Sequence, residues 1–474
     1  MLSAIIKKEL LNALRDVRFQ VSGILLVGLM IASIVMGKQA QQRIQQEREA
    51  AQKEMYESWL NQGNKHPHSA AHYGHFAFKP KPVLSFLDAG LDNFTGVSIF
   101  LEAHKQNEVL FSGAQEGGSI NRFGVLSSAM IFQLLFPLLI IFLTFSTFTK
   151  EREEGLLTLI MAQGVSLRTL YWGKVLSTYG MVLFLFVPVT LLAYFFLDNQ
   201  LSSFDPQLTL KFLLLLATYA AYFLVFIMLA VLISAFSKNS TTSLLSLLAV
   251  WITAGIILPK ATANLADKLY PAPSQFEFKQ VISDKVKNGI DGHNPSDERF
   301  AALKQEVLDR YQVATVEELP VNWGGIAMQA GEEYTDQVYD QEFSKVEAIF
   351  RKQNRLSEWM SFLDPYLAIR HLSMGLAGTD YHHHVAFAKA AESYRRYFVK
   401  YLNKDMEVNH QYNVAYDDYK VATDFWAEIK PFSYRAPTVS AILSQHWEAL
   451  AALTCWVLLL ALLAHSSLPT ISKL

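Results

Sequence analysis

The densest chemistry in this sequence lies between residues 150 and 174. Lys150-Glu151-Arg152-Glu153-Glu154 mixes base and acid, Gly155 interrupts it, Leu156 to Ala162 is apolar apart from Thr158, and Gly164 and Gly173-Lys174 follow. The charges suit the first turn of a helix, where acidic side chains meet the positive end of the dipole. Gly155 breaks the cluster, a short apolar helix follows, and Gly164 suits the position just past that helix's end. A second short helix leads through Gly173-Lys174 into an apolar stretch. A helix charged at one end and apolar along its length fits a groove on a partner protein. It equally fits an interfacial helix in a basic loop that sets membrane topology. The residues alone leave both readings open.

Histidine is the other chemistry-bearing type. Four of the thirteen, His66, His68, His72 and His75, fall within ten residues, and His382-His383-His384 form a second group. Imidazole clusters bind copper, zinc or nickel. No cysteine or carboxylate pattern completes a site, and adjacent histidines on a helix cannot all face one ion. Structural or solvated histidines and no metal are therefore expected, with His66, His68, His72 and His75 as the weak candidates. Hydrolytic constellations fail too, because neither G-x-S-x-G nor H-E-x-x-H occurs. No G-x-x-x-x-G-K-[ST] phosphate loop is present either, Gly173-Lys174 being followed by Val175. No enzyme activity is expected in this chain. His446-Trp447-Glu448 reads as the anchor of an apolar stretch.

The elements that hold these residues are apolar helices. Phe19–Gly37, Phe123–Thr149, Val175–Leu197, Phe212–Ser237 and Asn239–Pro259 carry no charge, and the shortest has 19 residues. About 20 helical residues, rising ~1.5 Å each, cross a bilayer core of roughly 30 Å. Ala449–Ala464 has only 16, so it needs Trp447 and His465 at the interfaces, or local thinning. A soluble protein with buried core helices does not accommodate five such runs. The expectation is an all-α polytopic membrane protein with spans at 19–37, 123–149, 175–197, 212–237, 239–259 and 447–465. Pro137 and Pro188 fall inside spans, as kinks tolerated where neighbours satisfy the freed carbonyl. Mid-span ionisable groups are almost absent, which argues against an ion channel or ion-coupled transport. Tyr179, Tyr194, Tyr219, Tyr222, Thr144, Ser146, Thr190 and Thr218 are the polar residues left, mostly as helix–helix contacts.

Composition agrees. The 474 residues are 51% hydrophobic and only 18% charged, with net charge −2 and one cysteine, Cys455. That balance excludes broad electrostatic binding of nucleic acid, and one cysteine excludes an internal disulfide framework. Six spans put both termini on one side. The short segments there carry Lys7, Lys8, Arg15, Arg18, Lys150, Arg152, Arg168, Lys174, Lys238 and Lys473, against Lys211 alone in the short loop 198–211. The positive-inside rule makes 1–18, 150–174 and 466–474 cytoplasmic, and 38–122 and 260–446 extracytoplasmic. The first apolar run is too long for a secretory signal peptide and reads as retained.

Residues 1–18 form an amphipathic pattern, Leu2, Ile6, Leu10, Leu14 and Val17 on one stripe, suited to lying in the headgroup plane. Residues 38–64 continue the first span as a helix, followed by an irregular stretch from His66 to Pro82 and a Gly-rich link at Gly113–Gly118. In 260–446, helices are expected at Ser296–Tyr311, Gly331–Arg355, His384–Lys404 and Ala415–Ile429, with a helix start at Ser296-Asp297 and a break at Asp364-Pro365. The outer body is thus mainly α-helical and assembled from both insertions.

The E-R-E-x-G pattern, its Leu-rich turns and the Val-Ser-x-x-x-Leu-x-x-Gly-Lys tail resemble the coupling-helix region of type 2 ATP-binding-cassette (ABC) exporter permeases. The matching residues are Glu151, Arg152, Glu154, Gly155, Leu157, Val165, Ser166, Gly173 and Lys174. The sequence departs from the family with Gln163-Gly164 in place of a Thr/Ser-Pro pair and with Leu156 where Thr is common. His72-Tyr73-Gly74, Leu87 to Leu91 and Ala368 to Met374 are similar to a bacterial subgroup with large extracytoplasmic insertions. The resemblance implies a permease subunit, itself without cofactor, that pairs with a second permease subunit and a cytoplasmic ATPase dimer binding ATP and Mg. Glu151, Arg152, Glu154, Gly155, Leu157 and Leu159 would carry the coupling contact. Export across the inner membrane is the implied function. The alternatives are mechanotransmission to a periplasmic or envelope partner, and a role in metal-site maturation, which one relative in the family serves.

Overall fold

The computed structural model describes residues 1–110, 127–198, 205–289 and 298–471. The Gly113–Gly118 link and the Ser296-Asp297 helix start lie outside them. Among the described residues, six helices are long and apolar enough to cross a membrane: Val17–Leu60, Ser128–Glu153, Leu167–Phe195, Pro206–Phe236, Ser240–Leu269 and Trp447–Leu468. Each holds one of the apolar runs. The sixth is 22 residues long, about 33 Å of helix, so it spans a bilayer core without local thinning.

The fourth span is the hub. Phe212, Leu215, Tyr219, Tyr222, Phe223, Phe226 and Ile227 along it are all buried, and it packs on the second, third and sixth spans. Phe136 and Phe223 stack with centroids 4.8 Å apart, and Phe186 meets Phe223 edge-on at 5.1 Å. A fourth neighbour comes from the second insertion. The helix Pro365–Ala377, buried from Leu367 to Ala377 except at Arg370, packs against the fourth and sixth spans. The extramembrane body and the bundle therefore share a core.

Two spans contain a π-helical stretch, Ile131–Leu135 and Thr253–Ile257, each just ahead of a proline, Pro137 and Pro259. Proline removes one backbone donor and crowds the carbonyl four residues back. For Pro137 that carbonyl belongs to Gln133, and the Tyr222 hydroxyl donates to it at 2.8 Å. The next carbonyl, Leu134, accepts from Trp251 Nε1 at 3.0 Å. The second span is thus repaired by its neighbours, one of them the fifth span. Thr144, Thr190 and Thr218 instead donate to carbonyls of their own helices.

The first spanning helix runs 44 residues without a break, about 66 Å, and so continues well beyond a bilayer core. Its tip joins a second core: Trp59 packs against Trp426, Phe398 and His75. Trp59 Nε1 donates to the Trp426 carbonyl, and Trp426 Nε1 to that of Gly63. The first insertion also supplies a three-stranded antiparallel sheet, β1 (His75–Phe78), β2 (Ser98–Glu102) and β3 (Lys105–Gln106), in the order β1-β2-β3. The long helices Trp323–Met360 and Tyr381–Asn409 pack along it and along each other. A third cluster gathers Phe300, Val307, Leu308, Trp323 and Ala327.

Two local expectations need correction. The stretch after His66 is ordered rather than irregular. His66 accepts from the His68 amide as an N-cap, Pro67 occupies the first helical turn, and a helix forms over Pro67–Tyr73 before β1. Conversely, Ala415–Ile429 is not an α-helix. Val421 bridges to Lys65 and only a 3-10 turn forms at Thr423–Glu428, because tertiary partners on the first insertion claim the backbone and Trp426. Asp364-Pro365 is a break that doubles as a helix start, Asp364 accepting from the Tyr366 amide.

Candidate functional site

The helix Leu2–Arg15 and the 149–174 connection meet at the bundle end opposite the extramembrane body. Thr149–Glu153 is helical, Gly155 takes φ +73° as its left-handed end, and Leu156–Ala162 forms the next helix. Gly164, at φ +83°, ends that helix. Ser166 Oγ then accepts from the Thr169 amide at 3.1 Å as the third span begins. This is the geometry expected from the glycine spacing.

Arg152 does not project outward. Its guanidinium donates to the Ser237 carbonyl at 2.5 Å and the Ala235 carbonyl at 2.7 Å, capping the negative end of the fourth span. Glu153 holds the positive end of the fifth, accepting from the Ser240 amide at 2.7 Å. Glu151 turns toward Lys174, Oε1 lying 3.0 Å from Nζ. Lys174 is 2% exposed and also reaches Glu9 at 3.3 Å and the Thr147 carbonyl at 2.9 Å. Lys8 approaches Glu151 from the N-terminal helix at 3.6 Å. Beside Lys174, a Cβ on Gly173 would sit 2.5 Å from Ile5 Cγ2, so the glycine lets the N-terminal helix rest against the third span. Residues 2–15, expected to lie in the headgroup plane, rest here against protein, on the helix of the third span.

The candidate docking residues fall into two sets. Glu151 and Arg152 fasten the connection to the bundle, and Leu157 is buried beneath it. Glu154, Gly155 and Leu159 face outward, Leu159 60% exposed and Leu156 44% exposed. Leu156 was not among the candidates, although its apolar character on a polar-rooted helix was the available signal.

The histidines divide as well. His66 stacks on Tyr416 with centroids 3.8 Å apart, and His75 packs against Trp59 and Phe398. Burial pushes both imidazoles down to about 4, His66 with a further contribution from His410. His68 and His72 come together with His104, which the sequence grouping did not include. A second convergence joins Glu358, His371 and His446. There His446 Nδ1 meets Glu358 at 2.8 Å and Nε2 meets Asp380 at 2.7 Å. Both ring nitrogens serve carboxylates, so this group is an ion network rather than a metal centre.

Residues 98–267 match the family described as ABC-2 family transporter protein, and residues 275–435 match a domain of unknown function (DUF3526). No curated protein and no solved structure matches the chain. The first match spans the second to fifth membrane helices together with the rooted, outward-facing connection between the second and third. Over residues 98–267 the chain is thus similar to ABC-2 family transporter proteins, and its long second insertion carries the domain of unknown function.

Proposed function

We propose that this permease exports a substrate across a bacterial inner membrane, as one of two permease subunits coupled to a dimer of cytoplasmic ATPases that bind ATP and Mg. The observation that carries the reading is the division of labour in the 149–162 connection. Leu156, Leu159 and Glu154 form an outward surface for the ATPase, while Glu151, Arg152 and Glu153 fasten its root to the third, fourth and fifth spans. A push on the short helix is thereby delivered to three spans at once. The basic residues around this end, Lys7, Lys8, Arg15, Lys150 and Lys238, support a cytoplasmic placement, with both termini inside and the large body outside. Leu159→Asp and Leu156→Asp should abolish co-purification with the ATPase and stimulation of its activity. Wild-type complex yield and stimulation in both variants would overturn the docking assignment.

A second reading, mechanotransmission without transport, is favoured by the unbroken helix Val17–Leu60. Motion of its inner end reaches the Trp59 core of the outer body directly. ATP-dependent efflux from proteoliposomes supports export; nucleotide-dependent movement of the outer body without efflux supports the second reading.

A further inference from the structure

We propose that His68, His72 and His104 form a binding site for a divalent transition-metal ion of the zinc or copper type in the extramembrane body. His68 and His72 stand one helical turn apart on Pro67–Tyr73, so their rings share a face. His104 arrives from the β2–β3 turn, and the potential ligand atoms of the three side chains lie within 4.8 Å of one another. The ring centroids are separated by 4.6, 5.2 and 5.1 Å.

The distances suit an ion. Nε2 of His68 and Nε2 of His72 are 3.0 Å apart. Two nitrogens in a tetrahedral zinc site with bonds of about 2.0–2.1 Å stand about 3.3 Å apart, so a shift of a few tenths of an ångström admits the metal. Imidazole ligands select zinc, copper or nickel over magnesium or calcium, which require oxygen. His68 is buried whereas His72 is exposed, which gives the ion an entry path and leaves a coordination position for water or a further ligand.

The third ligand is held by a carboxylate behind it. His104 Nδ1 lies 2.8 Å from Glu332 Oε1, and its backbone amide donates to both Glu332 oxygens at 2.9 and 3.1 Å. A carboxylate on one ring nitrogen orients the other for a metal and raises its basicity. Glu332 is itself paired with the buried guanidinium of Arg395. His104 also adopts φ +62°, a left-handed conformation that a non-glycine residue rarely takes. The sheet, the short helix and the helix Trp323–Met360 thus each contribute one part of the arrangement.

The test is calorimetry of the full-length, tag-free permease in detergent, titrated with zinc chloride and with copper chloride, with magnesium chloride as control. One zinc or copper ion per chain is expected, with no response to magnesium. His72→Ala and His104→Ala should each weaken binding at least 10-fold, and Glu332→Gln about 10-fold or more. His382→Ala should leave the affinity unchanged. Zinc should raise the melting temperature of the wild type and not that of His72→Ala. Because His72 is exposed, its replacement does not threaten folding, so undiminished binding by that variant would overturn the site. So would the absence of stoichiometric zinc or copper binding by the wild type. The outcome is independent of ATPase coupling.

Discussion

At the scale of single residues, the end of the bundle opposite the extramembrane body depends on one lysine. Lys174 is buried between Glu9 and Glu151 and donates to the Thr147 carbonyl. Removing one partner of a buried ion pair costs about 3–5 kcal/mol, because the remaining charges lose their compensation. Lys174→Met should therefore lower the melting temperature clearly and speed proteolysis within residues 2–15, since Glu9 would no longer be held. Glu154 offers the contrast. It meets Lys150 at 3.9 Å with both side chains about half exposed or more, and such pairs contribute roughly 0–1 kcal/mol. Glu154→Ala should leave the melting temperature unchanged while weakening ATPase binding. A melting shift in Glu154→Ala matching that of Lys174→Met would refute the division between root and surface. The same logic applies to Arg395 in the extramembrane body, 1% exposed and paired with Glu392, Asp336 and Glu332. Arg395→Met removes the buried cation shared by three carboxylates, although Glu392 and Asp336 keep Arg396 and Glu332 keeps His104, and should cost about 3–5 kcal/mol, measured by denaturant unfolding.

At the scale of elements, the kink at Pro137 is a contact rather than a weakness. Tyr222→Phe removes the donor to the Gln133 carbonyl while keeping the ring. The loss should be about 1–2 kcal/mol, since a buried acceptor is left unsatisfied. Thermal unfolding in detergent measures it, and an unchanged midpoint would show that the π stretch satisfies that carbonyl alone. This pairing also shows where sequence reading stops. The spans were legible because a run without charge must be helical in lipid, and the breaks at Gly155 and Gly164 were legible because left-handed backbone favours glycine. The partner of Gln133 was not, since nothing local in residues 131–137 points to a tyrosine on another helix. The histidines behaved likewise. His68 and His72 were visible only as members of a four-histidine run in a stretch expected to be irregular, and His104 joins them through a sheet whose third strand has two residues, too short for any periodicity. Glu332 lies further off still. Ala415–Ile429 failed in the opposite direction, its helical pattern overridden by Trp426 and Val421 docking on the first insertion.

At the scale of the whole molecule, the extramembrane body is fastened to the bundle by an ion network at the start of the sixth span. His446 lies between Glu358, near the end of the helix Trp323–Met360, and Asp380, the cap of Tyr381–Asn409. Asp380 also meets His383 at 2.6 Å, His371 stacks on His446 while His382 meets it edge-on, and Arg370 adds a positive charge from the intervening helix. Gly375 makes room, since a Cβ there would lie 2.5 Å from the His446 ring. Burial opposes a charge on His446, but the hydrogen bonds and charges of Asp380 and Glu358 prevail and push it up to about 9. Its contribution is fully present below its unfolded value of about 6.5 and is lost as pH rises through 9, on the order of 3 kcal/mol in all. His371 acts in the other sense. Burial, and then the charge of His446, push it down to about 3, so its contribution is present above about 6.5 and declines as pH falls. The two act in adjacent windows, His371 below about 6.5 and His446 between about 6.5 and 9, and the difference from His446→Gln isolates the second. That difference should be largest at pH 5.5–6.5 and shrink between about pH 7 and 9.5, read by denaturant unfolding in detergent at each pH. A difference that stays constant across this range would mean that His446 is neutral between its two carboxylates. The fastening of the extramembrane body would then be hydrogen bonding alone.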